Sequence, residues 1–229
     1  MIRIHKPVEG FSLEIYQRDS NPFKYLESEM LLVDYASKCI NTPMQKSVKN
    51  KFGMFVSVLS DGTPVTVLEW VQGNTVENIT VTEEIGEDIG TMVAKLHKCF
   101  NELDIDWDNE IFSRVLNHEI KRYMYDQQLL SVVEEELSKA MRKGQIEKEQ
   151  VAIIKDALRV IKNRMDELDV MQGMSGIVPA DLSPSNLIFC DKQIVPIDFS
   201  LSEYGFYYMD IGMILSQYKD NKIRKSIKR

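Results

Sequence analysis

The stretch IVPADLSPSNLIFCDKQIVPIDFS, residues 177–200, sets an asparagine and an aspartate at the outer ends of two short apolar runs. Residues 187–189 and 194–197 are apolar and are joined by a polar turn, which predicts a small β-hairpin. Asn186 comes just before the first run and Asp198 just after the second. Pairing of the strands therefore brings both side chains to the same end of the hairpin. These polar residues are either ordinary turn residues or ligands gathered around a metal ion.

Asp181 adds a carboxylate close to this end of the predicted hairpin. It lies five residues before Asn186, in a loop that Pro179 and Pro184 stiffen. Carboxylate and amide oxygens suit Mg²⁺, which keeps several waters and takes its other ligands from carboxylates and phosphates. The pattern D-L-x-P-x-N, with an Asp-Phe pair twelve residues beyond the asparagine, is typical of the catalytic loop and metal site of protein-kinase-like enzymes.

The composition of the chain is that of an ordinary globular protein. Of its 229 residues, 44% are hydrophobic and 28% are charged. No apolar run approaches the roughly 18 residues that span a bilayer, and the start of the chain does not read as a signal peptide. The net charge of −7 argues against general nucleic-acid binding. Three scattered cysteines without metal-ligand spacing predict buried free thiols, as in the reducing cytoplasm. Taken together, these features lead us to expect a cytoplasmic protein that binds neither a membrane nor nucleic acid.

The predicted elements divide the chain into a β-rich part, residues 1–72, and a mainly helical part, residues 73–229. In the β-rich part, a short apolar strand around Arg3 precedes a helix over residues 24–39. Residues 52–70 then predict a hairpin with an Asp-Gly turn.

The helical part is predicted to begin at Thr82. The acidic residues that follow Thr82, and the basic residues that end the same apolar pattern, suit the dipole of one helix. Residues 110–141 predict a long amphipathic stretch, and the apolar residues of 151–168 recur at spacings of three and four. The second stretch is too short for a coiled-coil dimer, so we expect it to pack inside a helical bundle.

The order and spacing of these segments resemble those of the aminoglycoside phosphotransferases and choline kinases, small-molecule kinases that share the protein-kinase fold. The resemblance covers most of the chain and implies an α+β, protein-kinase-like fold of two lobes. A truncated β-rich N-terminal lobe would occupy residues 1–72, and a mainly helical C-terminal lobe residues 73–229. Besides the opening stretch, the similar segments are RIHKP, SEMLLVDYAS, NKFGMFVSVLSDGTPVTVLEWVQG, IGTMVAKLHK and YYMDIG.

The resemblance implies a role for each polar residue of the opening stretch. Asp181 matches the catalytic aspartate, which accepts or orients the proton of the substrate hydroxyl. Asn186 and Asp198 match the residues that hold the Mg²⁺ ions bridging the phosphates of ATP. Phosphoryl transfer depends mostly on positioning and on neutralising charge, so metal ligands and a carboxylate are needed together.

On the nucleotide side, the resemblance implies roles for four residues. Arg3 matches the basic residue on the α- and β-phosphates, with Glu29 as its ion-pair partner, and an ordinary surface salt bridge is the alternative. Glu69 and Val71 match the interlobe hinge, whose backbone groups meet adenine. Trp70, between them, belongs either to that hinge or to the core.

Two further polar residues are expected to be structural. Asp210 is expected to brace the catalytic loop through hydrogen bonds rather than to meet the substrate, and His97 is expected to have a structural role. Tyr204, Tyr207 and Tyr208 suit either a cationic alcohol or plain core packing, and we favour core packing.

The chain departs from the family pattern at several points. Pro179 stands where relatives usually have a histidine, and Ser183 where they often have a histidine or lysine near the transferred phosphate. Ser200 replaces the glycine of the Asp-Phe-Gly motif. The chain begins at the strand of Arg3, without the two strands and phosphate loop that precede it in the family, and it ends early. We therefore expect a fragment or a misplaced start, with weakened ATP binding.

Two functions from different classes remain. The first is an ATP- and Mg²⁺-dependent phosphotransferase acting on the hydroxyl of a small molecule, such as an aminoglycoside or a choline-like amino alcohol. The second is a noncatalytic kinase-like binding or scaffold protein, or an inactive fragment of such a kinase. Retention of the three polar residues favours the enzyme, and the missing phosphate loop favours the second function. A kinase of protein substrates is less favoured, because no activation-loop pattern follows Asp198.

Overall fold

The structure is a computed structural model, and it describes residues 2–4, 22–102, 127–171 and 173–228. Helices and short antiparallel strands make up the fold, so the predicted α+β class is confirmed. The strands are β1 (Ile2–Ile4), β2 (Val56–Val58), β3 (Pro64–Val67), β4 (Asn74–Thr75), β5 (Ser175–Val178), β6 (Leu187–Cys190), β7 (Gln193–Pro196) and β8 (Glu203–Phe206). The helices are α1 (Pro22–Cys39), α2 (Glu83–Asn101), α3 (Gln127–Arg142), α4 (Lys148–Asp169), α5 (Tyr208–Gln217) and α6 (Asn221–Ser226).

The first three strands form an antiparallel sheet in the order β1–β3–β2. The hairpin predicted over residues 52–70 is present as β2 and β3, and Gly62 in its turn has a φ of +84°. Glycine suits this position because residues with a Cβ rarely adopt a left-handed backbone. Helix α1 lies against β2 and β3 and buries Met30, Val33 and Ala36 along one face, as the helical spacing predicts.

Helix α2 begins where the sequence predicts it. Thr82 caps the helix by accepting a hydrogen bond from the backbone N–H of Ile85 at 3.3 Å, and Glu83 and Glu84 follow in the first turn. The helix contacts α1, β5, β7 and α6. Its buried residues join a single hydrophobic core that also takes in residues of α1, of the β6–β7 hairpin and of α5.

Helices α3 and α4 pack against each other. Val151, Leu158 and Leu168 of the predicted apolar stripe are buried, whereas Ile161 is 46% exposed. Among the described residues, therefore, only part of this apolar stripe is buried by neighbouring elements. The stretch predicted over residues 110–141 begins outside the described residues, and its described portion is α3. Within the described ranges, no helix combines the length and the apolar character that crossing a membrane requires.

The C-terminal strands form two small antiparallel sheets, one of order β4–β6–β7 and one of β5 with β8. The hairpin predicted from the opening stretch is present as β6 and β7, with Leu187 opposite Pro196. Asp191 and Lys192 form its turn and have φ values of +48° and +61°. Two residues of positive φ make the mirror-image turn that matches the twist of a tight hairpin.

The three cysteines are free thiols, but the prediction that all are buried is wrong. Cys99 is buried within α2, and this burial raises the pKa of its thiol well above the ordinary range. Cys190 is only partly buried, and Cys39 is exposed. Cys39 is the last residue of α1, where the end of the helix reaches solvent.

Candidate active site

The β6–β7 hairpin brings Asn186 and Asp198 to one end, as the sequence predicts. The backbone N–H of Ile197 donates to the carbonyl oxygen of Asn186 at 2.9 Å. This bond lies just beyond the last pair of the hairpin ladder, Leu187 opposite Pro196. Asn186 is thus bonded directly to the residue that precedes Asp198.

The side chain of Asn186 also joins Asp181 to this end of the hairpin. Its Nδ2 donates to Oδ2 of Asp181 at 2.9 Å and to the backbone oxygen of Asp181 at 3.1 Å. A short 3₁₀ turn over Pro184–Asn186 places the asparagine, and the backbone N–H of Asn186 donates to the oxygen of Ser183 at 2.8 Å. Because the amide donates through Nδ2, its Oδ1 lies on the opposite side of the amide from Asp181.

Asp198 has an unusual backbone conformation. Its φ is +60°, and its Oδ1 accepts a hydrogen bond from the backbone N–H of Ser200 at 3.3 Å. Aspartate adopts this left-handed conformation more readily than most residues with a Cβ, because its short side chain can form a local hydrogen bond such as the one to Ser200. The next residue, Phe199, is anchored in the core. It is 1% exposed, and its ring packs edge to face against the ring of Phe100 with 6.3 Å between the centroids. The anchor holds the turn in place while the carboxylate stays partly exposed.

Asp210 braces the loop that carries Asp181, as the sequence predicts. Its side chain is fully buried, and its Oδ1 accepts a hydrogen bond from the backbone N–H of Ala180 at 2.9 Å. Its Oδ2 lies 2.7 Å from Nε2 of His97, which confirms that His97 has a structural role. Ala180 itself has a φ of +60°. The buried carboxylate therefore holds the residue next to Asp181 in a conformation that alanine disfavours.

Prediction from the sequence missed the direct contact between His97 and Asp210 and the contribution of Tyr207. The ring of Tyr207 stacks on His97 with 4.5 Å between the ring centroids. Tyr204 and Tyr207 are partly buried, as core packing predicts, whereas Tyr208 is 55% exposed. The segment FYYMDIG contains the aromatic residue and the aspartate together, but nothing in the sequence pairs them with a helix about a hundred residues earlier.

The structure describes only some of the side chains that are expected to lie near the nucleotide phosphates. Arg3 lies in β1 opposite Thr66 of β3, and its side chain is outside the described part of the chain. Glu29 on α1 is 1% exposed. The alternative of an ordinary surface salt bridge is therefore wrong for Glu29, because its carboxylate is inside the protein.

The predicted hinge follows β3. The backbone N–H of Glu69 donates to the oxygen of Lys46 at 2.8 Å, and the Glu69 oxygen accepts from Nε2 of Gln45 at 3.4 Å. Val71 is partly buried, and Trp70 is 66% exposed. The alternative that Trp70 belongs to the core is thus wrong, because this extended segment turns the indole toward solvent.

The donor set at the end of the hairpin fits a hard divalent cation that keeps part of its water shell. It offers the carboxylate of Asp198 and the amide oxygen of Asn186, with the carboxylate of Asp181 beside them. Across the described ranges, no three His, Cys, Asp or Glu side chains converge in a way that could hold a metal ion. A cation here needs water and phosphate oxygens as further ligands, as Mg²⁺ commonly does at phosphoryl-transfer sites.

The sequence and the fold both match known phosphotransferases. The sequence model described as the phosphotransferase enzyme family matches residues 56–225, which is most of the chain. No curated protein sequence matches the chain.

Three solved structures illustrate the likeness of fold. The microcompartment-associated aminopropanol kinase has a TM-score of 0.65 at 18% identity, over 99% of this chain and 66% of that one. The amicoumacin kinase hAmiN, in complex with AMP-PNP, Ca²⁺ and Ami, has a TM-score of 0.58 at 18% identity, over 92% of this chain and 61% of that one. An aminoglycoside phosphotransferase from Alicyclobacillus acidocaldarius has a TM-score of 0.56 at 20% identity, over 89% of this chain and 62% of that one.

At these identities the likeness is one of fold, and it confirms the predicted protein-kinase-like fold. The chain spans between 61% and 66% of the length of these three proteins.

Proposed function

Because the chain belongs to the phosphotransferase enzyme family, we propose that it transfers the γ-phosphate of ATP to a hydroxyl group of a small molecule. The observation that carries the proposal is the junction of Asp181, Asn186 and Ile197–Asp198 at one end of the β6–β7 hairpin. A turn without function does not need to gather two carboxylates beside one amide.

In the proposed site, each polar side chain has one task. Asp198 and Oδ1 of Asn186 would hold Mg²⁺, which when bound neutralises charge on the phosphates of ATP. Asp181 orients the acceptor hydroxyl and takes its proton. Its bond to Nδ2 of Asn186 sets the distance between the proton acceptor and the cation site, so transfer and charge neutralisation are aligned by one amide.

The β-rich residues 1–72 are proposed to lie on the nucleotide side, and residues 73–229 to carry the catalytic loop and the acceptor. In this arrangement the backbone of Glu69 and Val71 meets adenine, and Arg3 meets the phosphates with the buried Glu29 as its ion-pair partner. We place this activity in the cytoplasm, the compartment in which free thiols persist.

The acceptor is proposed to be a cationic alcohol, either an amino alcohol or an aminoglycoside. Two observations support this class. The chain carries a net charge of −7, which favours cationic ligands. The names of two structural neighbours include aminopropanol kinase and aminoglycoside phosphotransferase.

The proposal is tested by calorimetric titration of the protein with ATP in the presence and absence of Mg²⁺. We expect Mg²⁺-dependent binding that Asp198→Asn weakens by at least about tenfold, because a neutral amide replaces a charged metal ligand. Asp191→Asn is the matched control, since it makes the same change in the turn at the opposite end of the hairpin, where Asp191 is exposed. We expect this variant to bind ATP as the unsubstituted protein does.

Equal binding by Asp198→Asn and the unsubstituted protein would remove Asp198 from the metal site, and no binding at all would defeat the proposal. ATP consumption is then measured with a panel of amino alcohols, aminoglycosides and sugars. Binding of ATP without turnover of any hydroxyl compound would favour the noncatalytic function instead.

A further inference from the structure

The aromatic ring of Tyr207 lies between β5 and α2. It stacks on the imidazole of His97 at 4.5 Å with 29° between the planes. Its hydroxyl donates to Oδ1 of Asn101 at 3.4 Å. On the β5 side the ring reaches Gly176, where an added Cβ would lie only 2.0 Å from the tyrosine hydroxyl. Glycine at position 176 is therefore what makes room for the ring.

A continuous series of contacts leads from this ring to the catalytic loop. Nε2 of His97 lies 2.7 Å from Oδ2 of Asp210, and Oδ1 of the same carboxylate accepts the backbone N–H of Ala180 at 2.9 Å. Asp210 is fully buried. Ala180 has a φ of +60° and directly precedes Asp181. Since alanine disfavours this conformation, the carboxylate must hold it there.

We propose that Tyr207 is a positioning residue for Asp181. It fixes the orientation of His97, which orients the carboxylate of Asp210, and that carboxylate holds the backbone next to Asp181. The inference rests on the proposed function, because it takes Asp181 as the catalytic carboxylate. The imidazole has two flat faces, and stacking on one of them restricts rotation of the ring. With the ring fixed, Nε2 stays directed at Asp210, and Asp210 keeps one oxygen for Ala180.

The stacked ring, rather than the hydroxyl, performs this role. The bond to Asn101 is long, and Asn101 is exposed. The hydroxyl is neutral near pH 7, as tyrosine ordinarily is, and burial raises its pKa further. Phenylalanine should therefore replace Tyr207, whereas leucine, which fills similar space without a flat ring, should not.

Hydrogen exchange at the backbone amide of Ala180 reports directly on the bond to Asp210. In Tyr207→Leu we expect this amide to exchange at least about tenfold faster, while amides in the buried centre of α2 keep their protection. Tyr207→Phe should exchange within about twofold of the unsubstituted protein. Tyr208→Leu is the control, since Tyr208 is the adjacent tyrosine and is 55% exposed. Gly176→Ala, which displaces the ring from the other side, should reproduce the effect of Tyr207→Leu.

Unchanged exchange at Ala180 in both Tyr207→Leu and Gly176→Ala would overturn the proposal, as would rapid exchange in Tyr207→Phe. These measurements need no turnover, so they decide the question even if no acceptor is phosphorylated. Where an acceptor is found, Tyr207→Leu should lower kcat and leave the KM for ATP unchanged, because the displaced carboxylate of Asp181 acts on the hydroxyl of the acceptor and not on ATP. A rise in KM for ATP with kcat unchanged would contradict the role given to Tyr207.

Discussion

At the scale of single residues, Asp181 has two contacts that a substitution can separate. Its Oδ2 accepts from Nδ2 of Asn186 at 2.9 Å, and in the proposed function it also takes the proton of the acceptor. Asp181→Asn keeps an oxygen that can accept from Asn186 but removes the base. We expect phosphoryl transfer to fall by roughly 10²–10⁴, the usual loss for a general base, while the Kd for Mg²⁺–ATP stays within about threefold.

Steady-state kinetics and calorimetry on the same preparation measure the two quantities. Asp181→Ala is the comparison, because it removes the side-chain acceptor of Asn186 and should weaken Mg²⁺–ATP binding as well as turnover. If Asp181→Asn lost ATP binding as strongly as turnover, Asp181 would be a metal ligand and not the base.

The polar residues of the site differ in how far the sequence predicts them. Asn186 and Asp198 could be placed together because a hairpin is local, and its ends meet whatever the rest of the fold does. The contact of His97 with Asp210 joins residues 113 apart and depends on how two helices pack. The exposure of Trp70 was equally beyond prediction, because hydrophobicity does not tell which way an extended segment turns its side chains.

At the scale of elements, α6 packs closely against two glycines of α2. An added Cβ at Gly90 would lie 2.2 Å from the backbone oxygen of Ile227, and one at Gly86 would lie 2.1 Å from Oγ of Ser226. The sequence predicts α2 from its Thr82 cap and its apolar spacing. Glycines inside a helix indicate that another element packs closely against it, but they do not indicate which element. The partner became visible only in the packed structure.

Substitution of Gly90 tests this contact. Alanine favours a helix over glycine by about 1 kcal/mol, but here its methyl group meets rigid backbone, and overpacking typically costs about 1–3 kcal/mol. We expect Gly90→Ala to lower the free energy of unfolding. Gly212→Ala on α5 is the matched control: among the described residues, no atom beyond its chain neighbours and its own helix backbone lies within 4 Å of an added Cβ there, so we expect the helical preference to dominate.

Urea denaturation of both variants gives the comparison. The expected result is a lower midpoint for Gly90→Ala and an unchanged or higher midpoint for Gly212→Ala. Stabilisation by both substitutions to the same extent would mean that α6 is not packed on α2 in solution.

At the scale of the whole molecule, one hydrophobic core connects the β-rich part with the helical part. Met30 of α1, Leu96 of α2, Leu187 of β6 and Ile214 of α5 all belong to it. Tyr35 and Cys99 lie in the same core. Titratable groups that unfolding exposes from this core therefore report on the stability of the described fold as a unit.

Alkaline pH should destabilise this core. Burial is the main cause that raises the pKa of Tyr35 above its ordinary value of 10.0 and that of Cys99 above 9.0, and a hydrogen bond with Cys39 acts in the same direction. Both groups stay protonated in the folded state at a pH where the unfolded chain releases the proton. Stability is therefore complete below the ordinary pKa values and falls as pH rises above them, by about 1.4 kcal/mol per pH unit for each such group.

Tyr35→Phe isolates one of these protons. Phenylalanine fills the same buried space but cannot ionise, so between about pH 10 and pH 11 the free energy of unfolding should fall less steeply than in the unsubstituted protein, by up to about 1.4 kcal/mol per pH unit. Urea denaturation at about pH 8, about pH 10 and about pH 11 measures how steeply the free energy of unfolding falls with pH, because these values span the ordinary pKa of tyrosine. Tyr208→Phe is the control, because it removes the same hydroxyl from a tyrosine that lies outside the core and is 55% exposed. Equal slopes for Tyr35→Phe and the unsubstituted protein would show that Tyr35 ionises as readily in the folded state as in the unfolded chain, and its place in the core would then be wrong.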